Sequence, residues 1–149
     1  MPTHTYEARL TWQVGGEGIA AGNHRLEFEG RPAVEVSAAP QYRGDPTRLN
    51  PEEQFVAALA SCQLLTYLAL ARGAGVTVGC YEERATGRLA IADRKMWMTE
   101  VLLRPRITVA AGSDEETARG LVDKAHDGCF IANSVACAVR IEPEIVAEG

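Results

Sequence analysis

The segment NPEEQFVAALASCQLLTYLALARG, residues 50–73, carries the strongest local signal in the chain. Asn50 is a capping residue, Pro51 suits the first helical position, and Glu53 stands where its carboxylate closes a capping box. The residues that follow favour helix to about Arg72, with Gly73 and Gly75 as the stop signal. Phe55, Val56, Leu59, Leu64, Leu65, Leu68 and Leu70 are spread around this helix rather than gathered on one stripe. So little polar face predicts a central helix, buried in its own domain or against another subunit. A membrane span is not expected. The apolar run is about 17 residues and is interrupted by Ser61, Gln63 and Thr66, whereas a span needs about 20.

On the N-terminal side, Tyr6, Ala8, Leu10, Trp12 and Val14 alternate with polar residues, the pattern of a half-buried strand ended by Gly15-Gly16. Extended pieces follow over His24 to Glu29 and Ala33 to Ala38, with Gly30 turning between them. APQYRGDPTRLNPEE, residues 39–53, has loop composition, and long structured loops often carry function. On the C-terminal side, strands are expected over Val76 to Ala92, with Thr86-Gly87 as a turn or bulge, and over Trp97 to Val109. Pro105 would be tolerated there only at an edge or an irregular point. Ser113 and Glu116 form a second capping box, opening a helix to about His126 that Gly128 breaks. Cys129 to Val135 reads as short helix or irregular chain, and Ala138 to Glu142 as a last strand. The order β-β-β-α-β-β-α-β predicts one α+β domain over residues 1–149, without linker or repeat.

The chain has 149 residues, 46% of them hydrophobic and 23% charged, which excludes a disordered chain. A formal charge of -5 argues against a nucleic acid partner, which needs a concentrated positive surface. MPTHTYEARLTW turns polar at once and has no targeting pattern, so a cytoplasmic location is expected. In that compartment cysteines stay reduced, and the four present become informative.

They stand at positions 62, 80, 129 and 137. None forms a CxxC pair, and His4, His24 and His126 are not at zinc spacings, so neither metal nor cofactor is expected. Cys62 has small neighbours, Ala57, Ala58, Ala60 and Ser61, which leave a thiol approachable. Cys129 follows Gly128 at a helix end, where backbone donors could stabilise a thiolate. The competing reading is that all four are small core hydrophobes. No GxSxG, HExxH, P-loop or GxGxxG motif offers other chemistry.

NPEEQFVAALASC, from Asn50 to Cys62, and AHDGCFIANSV, from Ala125 to Val135, resemble the OsmC/Ohr family of bacterial hydroperoxide reductases, in its OsmC-like branch. The resemblance implies antiparallel sheets around long central helices in an intertwined homodimer. It implies a thiol-dependent peroxidase acting on organic hydroperoxides, with hydrogen peroxide a further candidate substrate. Cys62 would be the peroxidatic thiolate, Cys129 the resolving cysteine, and Glu52 the glutamate that aims an arginine at the sulfur. The hydroperoxide reductase branch takes that arginine from an early glycine turn, but GGEG at 15–18 has none. Arg43 is the first candidate to replace it, before Arg25 and Arg48. Gln63 stands where some relatives carry histidine. The reductant implied is a dithiol, of the lipoyl type. The alternative is a non-catalytic, small-molecule-binding or redox-sensing dimer of the same fold.

In one straight helix Glu52 lies about 15 Å along the axis from Cys62 and about 80° around it, so Cys62 function is expected to depend on dimerisation. Cys80 and Cys137 read as packing residues. His126 either tunes Cys129 or faces solvent, and Phe55, Leu59 and Phe130 are candidates to line a peroxide access route.

Overall fold

A computed structural model describes residues 1–16 and 20–149, which form two compact units, Met1–Gln54 and Phe55–Gly149. Glu17 and Gly18 of the expected GGEG turn lie outside the described residues.

In the first unit, β1 (Arg9–Thr11), β2 (His24–Glu27) and β3 (Val34–Val36) make an antiparallel sheet in that order. The alternation from Tyr6 to Val14 predicts more strand than forms, and the side chains of Tyr6, Leu10, Trp12 and Val14 are exposed rather than half-buried. Three strands of three or four residues make a small sheet, and a helix packed across it is absent among the described residues of this unit. The loop after β3 is ordered by its polar residues. Asp45 N–H donates to Ser37 Oγ at 3.0 Å, and the Asp45 carboxylate accepts from Thr47 N–H at 2.9 Å and the Thr47 hydroxyl at 2.6 Å. Arg48 reaches the Glu35 carboxylate at 2.7 Å. Arg43, after a 3-10 turn over Pro40–Tyr42, is in the left-handed region at φ 63°. Gly44 lies so close to the Ala38 carbonyl that any side chain there would overlap it.

Helix α1 runs unbroken over Pro51–Gly73. The expected capping box is present: Glu53 N–H donates to Asn50 Oδ1 at 2.9 Å, and Asn50 N–H to the Glu53 carboxylate at 3.3 Å. Only the stripe Leu59, Gln63, Tyr67 and Ala71 is buried. Among the described residues α1 is the one helix long and apolar enough, by length and composition, to cross a membrane. Two of its buried polar groups are matched to protein: the Gln63 amide N–H donates to Val122 O at 3.1 Å and the Tyr67 hydroxyl to Ala118 O at 2.9 Å.

In the second unit, β4 (Val78–Ala92) and β5 (Lys95–Val109) form a long antiparallel hairpin, turned by Asp93 and Arg94 at positive φ. β6 (Ala138–Ile141) and β7 (Glu144–Ala147) both pair with β5 in parallel, so this sheet is mixed rather than antiparallel throughout. Thr86-Gly87 is neither turn nor bulge, because β4 passes straight through it and the register shifts at Arg88/Leu89 instead. Pro105 sits in the middle strand, not at an edge. The β6 ladder ends at Leu103↔Ile141 and the β7 ladder begins at Arg106↔Glu144, so the missing N–H falls at the break between them. β7 escaped the sequence reading because Pro143 separates it from β6 by only two residues.

α2 covers Glu115–Gly128, and its cap is Asp114 rather than Ser113. The Asp114 carboxylate accepts from Glu116 N–H at 3.0 Å with one oxygen and from the Thr117 hydroxyl at 2.7 Å with the other. The core of this unit joins Tyr67 and Ala71 of α1, Ile107 and Val109 of β5, Ile145 of β7, and Ala118, Leu121, Val122 and Ala125 of α2. A second cluster gathers Leu59, Val101 and Leu103.

Candidate thiol site

Cys62 is half-buried on α1 and Cys129 is buried just beyond the end of α2, both with free thiols. The helix break is local. Cys129 takes extended backbone at ψ 112° while its N–H still reaches His126 O at 3.2 Å, and a 3-10 turn over Ala132–Ser134 follows. The N–H groups of Phe130, Ile131 and Ala132 are thereby freed from α2. Those of Phe130 and Ile131 point at the Cys62 sulfur, and that of Ala132 donates to Cys129 Sγ at 3.4 Å. Successive backbone donors of this kind make an anion-binding concavity.

The two thiols are within hydrogen-bonding reach and shift in opposite senses. Burial pushes Cys62 up, but the Cys129 thiol, the Ile131 and Phe130 N–H groups and the Thr66 hydroxyl together hold it below the ordinary thiol value. Burial pushes Cys129 up, and its role as donor to Cys62 pushes it further. The arrangement favours ionisation at Cys62 over Cys129, with the Cys129 thiol donating to the Cys62 sulfur. The groups that lower Cys62 all lie within this unit.

The Cys62 sulfur opens onto a cleft of about 510 Å³ lined by Ala58, Ser61, Leu65, Thr66, Ala69, Phe130 and Ile131. Phe130 lines it as expected. Leu59 does not, being buried in the core cluster that Phe55 packs against. Ala58 and Ser61 line it too, two of the small neighbours expected to leave the thiol approachable, whereas Leu65, Ala69 and Ile131 were missed, although Ala58, Cys62, Leu65 and Ala69 repeat at helical spacing. Thr66 also escaped notice; four residues after Cys62, its hydroxyl donates to Cys62 O at 2.9 Å.

Arg43 and Glu52 belong to the first unit. Arg43 is exposed, and Glu52 is half-buried in the first turn of α1, with Oε2 buried and unbonded among the described residues. No helix break brings Glu52 toward Cys62 along α1. Arg25 and Arg48 both bond to Glu35. Cys80 is exposed on β4, not packed in a core, because it sits on the outer side beyond a register shift. Cys137 is half-buried against the Leu59 cluster. His126 is half-buried rather than solvent-facing. Among the described residues no cluster of His, Cys, Asp or Glu is placed to hold a metal ion.

The profile of the OsmC-like protein family matches residues 44–144, about two thirds of the chain. An OsmC-like protein of unknown function from Vibrio cholerae is 30% identical, with 95% of this chain and 99% of that one covered at a TM-score of 0.86. An organic hydroperoxide resistance protein OsmC from Legionella pneumophila is 20% identical over 98% and 99% of the two chains, at a TM-score of 0.73. An organic hydroperoxide resistance protein from Elizabethkingia anophelis is 21% identical over 99% of each, at 0.74. No curated protein sequence matches the chain.

Proposed function

We propose that this chain, which belongs to the OsmC-like family, is a thiol-dependent peroxidase that reduces organic hydroperoxides through Cys62 and Cys129. The observation that carries this reading is the pairing of Cys62 with Cys129, beside backbone N–H groups freed at the end of α2, at the mouth of an apolar cleft. The names of the Legionella and Elizabethkingia proteins agree with it.

The Cys62 thiolate attacks the distal oxygen of the hydroperoxide, the O–O bond breaks, and the leaving alkoxide takes a proton to depart as an alcohol. Cys62 is left as a sulfenic acid. The Cys129 sulfur then attacks the Cys62 sulfur, forming a disulfide and expelling the sulfenic oxygen as water. The turn N–H groups hold the thiolate before attack. Two thiols already in hydrogen-bonding reach need little movement to close a disulfide, whose Cβ atoms stand about 3.8 Å apart. A lipoyl-type dithiol restores both thiols by exchange. Glu52 would orient an arginine, Arg43 first, toward the peroxide oxygens once the site is complete. A second copy would cover the face of α1 that this chain leaves open, where Leu65 is 67% exposed. The binding-only alternative accounts for the cleft but gives no reason for a donor thiol beside an acceptor sulfur.

The test is consumption of cumene hydroperoxide with dihydrolipoamide by the purified protein, beside Cys62→Ser. Turnover in the wild type alone is expected. Equal, background rates in both, with thiols reduced, would contradict the reaction.

A further inference from the structure

The sulfur site uses one side of α1, while the side packed on β4 holds polar groups that the proposed reaction leaves idle. Tyr81, Glu83 and Ala85 alternate with exposed Glu82 and Arg84, so the three face inward. Three contacts fix the part of α1 above them. Gly87 lies against the Val56 side chain, Ala85 packs in the cluster of Leu59, and the Tyr81 ring is 6.0 Å from that of Tyr67. Glu83, between Ala85 and Tyr81, therefore lies beneath the stretch of α1 between Leu59 and Tyr67, which carries Cys62 and Gln63.

Both carboxyl oxygens of Glu83 are buried without a hydrogen-bond partner among the described residues. So are the Tyr81 hydroxyl and Gln63 Oε1. A carboxylate in that position has lost its water and gained no donor, the costliest way to bury a charge. Its oxygens are already sealed from solvent within one chain. The neutral acid resolves the conflict, because it carries no charge to leave unsolvated. Burial accordingly pushes the Glu83 carboxyl up to about 7, and burial with the adjacent Glu83 charge pushes Tyr81 above its ordinary value. The other ionisable groups around this layer are few. α1 offers Tyr67, whose hydroxyl is committed to Ala118 O, and Cys62 in the same stretch. The inner positions of β5, namely Leu103, Pro105 and Ile107, offer none, and the buried stripe of α2 is apolar, with half-buried His126 near its end.

We propose that Glu83 is a positioning residue for Cys62: as a neutral acid it braces the Cys62–Gln63 turn of α1 from behind, and on losing its proton it opposes the Cys62 thiolate. This rests on Cys62 being the reacting thiol. Two acids flanking one turn of α1 are then coupled, each ionisation raising the cost of the other.

The experiment follows alkylation of Cys62 by iodoacetamide across the neutral pH range, resolved by peptide mass spectrometry, in reduced wild type, Glu83→Gln and Glu83→Asp. Wild type and Glu83→Asp should show a broadened, two-step rise in rate. Glu83→Gln should show one step, completed about half to one pH unit lower. Superimposable curves for folded wild type and Glu83→Gln would overturn the proposal. Should Glu83→Gln not fold, the wild type still decides by infrared titration. A protonated-carboxyl band lost through neutrality supports the proposal, and absence of that band below neutrality overturns it. Alkylation does not require peroxide turnover, so the role of Glu83 is tested even in a chain inactive on peroxides.

Discussion

Cys62 and Glu83 are acids on opposite sides of the same helix, both withdrawn from water, yet they move in opposite directions. Burial raises both. Cys62 is nevertheless lowered, since a thiol and two backbone N–H groups converge on its sulfur with the Thr66 hydroxyl close by. Glu83 has no donor among the described residues and stays raised, at about 7. The difference teaches that depth alone does not decide whether a buried acid carries charge; the count of aimed donors does. It also assigns the two sides of α1 different work, with charge made in front and suppressed behind.

The comparison breaks most plainly at the sulfur. Cys62→Ser should reduce hydroperoxide turnover to background, roughly a thousandfold or more, with the fold intact by circular dichroism. Behind the helix, Glu83→Gln should stabilise the chain at alkaline pH. The sign follows from proton counting: between about 4.5 and about 7 the folded chain holds a proton that the unfolded chain releases, so stability falls as pH rises through that window and is flat above it. Removing the carboxyl should recover on the order of 2 kcal/mol above neutrality, read as a higher Tm, and nothing at the acidic end. A Tm difference independent of pH would mean that the carboxyl is not strained by its charge.

In front, Cys129 separates two roles that one residue holds. Cys129→Ala removes the donor and should raise the Cys62 titration midpoint by about 0.7 pH units, which corresponds to about 1 kcal/mol for the weak S–H donor to the thiolate. Cys129→Ser keeps a donor, so Cys62 should remain acidic while the disulfide becomes impossible. Iodoacetamide titration distinguishes them, and equal midpoints would remove Cys129 from the acidification. The smallest effect belongs to Thr66→Val, which should slow alkylation of Cys62 about twofold at neutral pH by deleting one peripheral donor.

Much of this was legible in the residues. The Asn50–Glu53 capping box, the extent of α1, the small residues around Cys62 and the helix end at Cys129 are local signals, and the structure realises each. What escaped depends on contacts between distant segments. Gly128 announces a helix end, but nothing local says that Phe130 and Ile131 turn their N–H groups toward a sulfur nearly seventy residues earlier. Glu83 reads as one more charge in an alternating strand, and its inward position appears only once the register of β4 against α1 is known. Cys80 misled for the same reason, because alternation gives two faces without saying which is covered.

The most direct measurement of the central claim is addition of one equivalent of cumene hydroperoxide to the reduced protein, quenched by acid and mapped by peptide mass spectrometry. The account predicts a Cys62–Cys129 disulfide, two hydrogens lighter than the dithiol, with Cys80 and Cys137 still reduced. Oxidation that begins at Cys80 or Cys137 and leaves Cys62 a free thiol would contradict it.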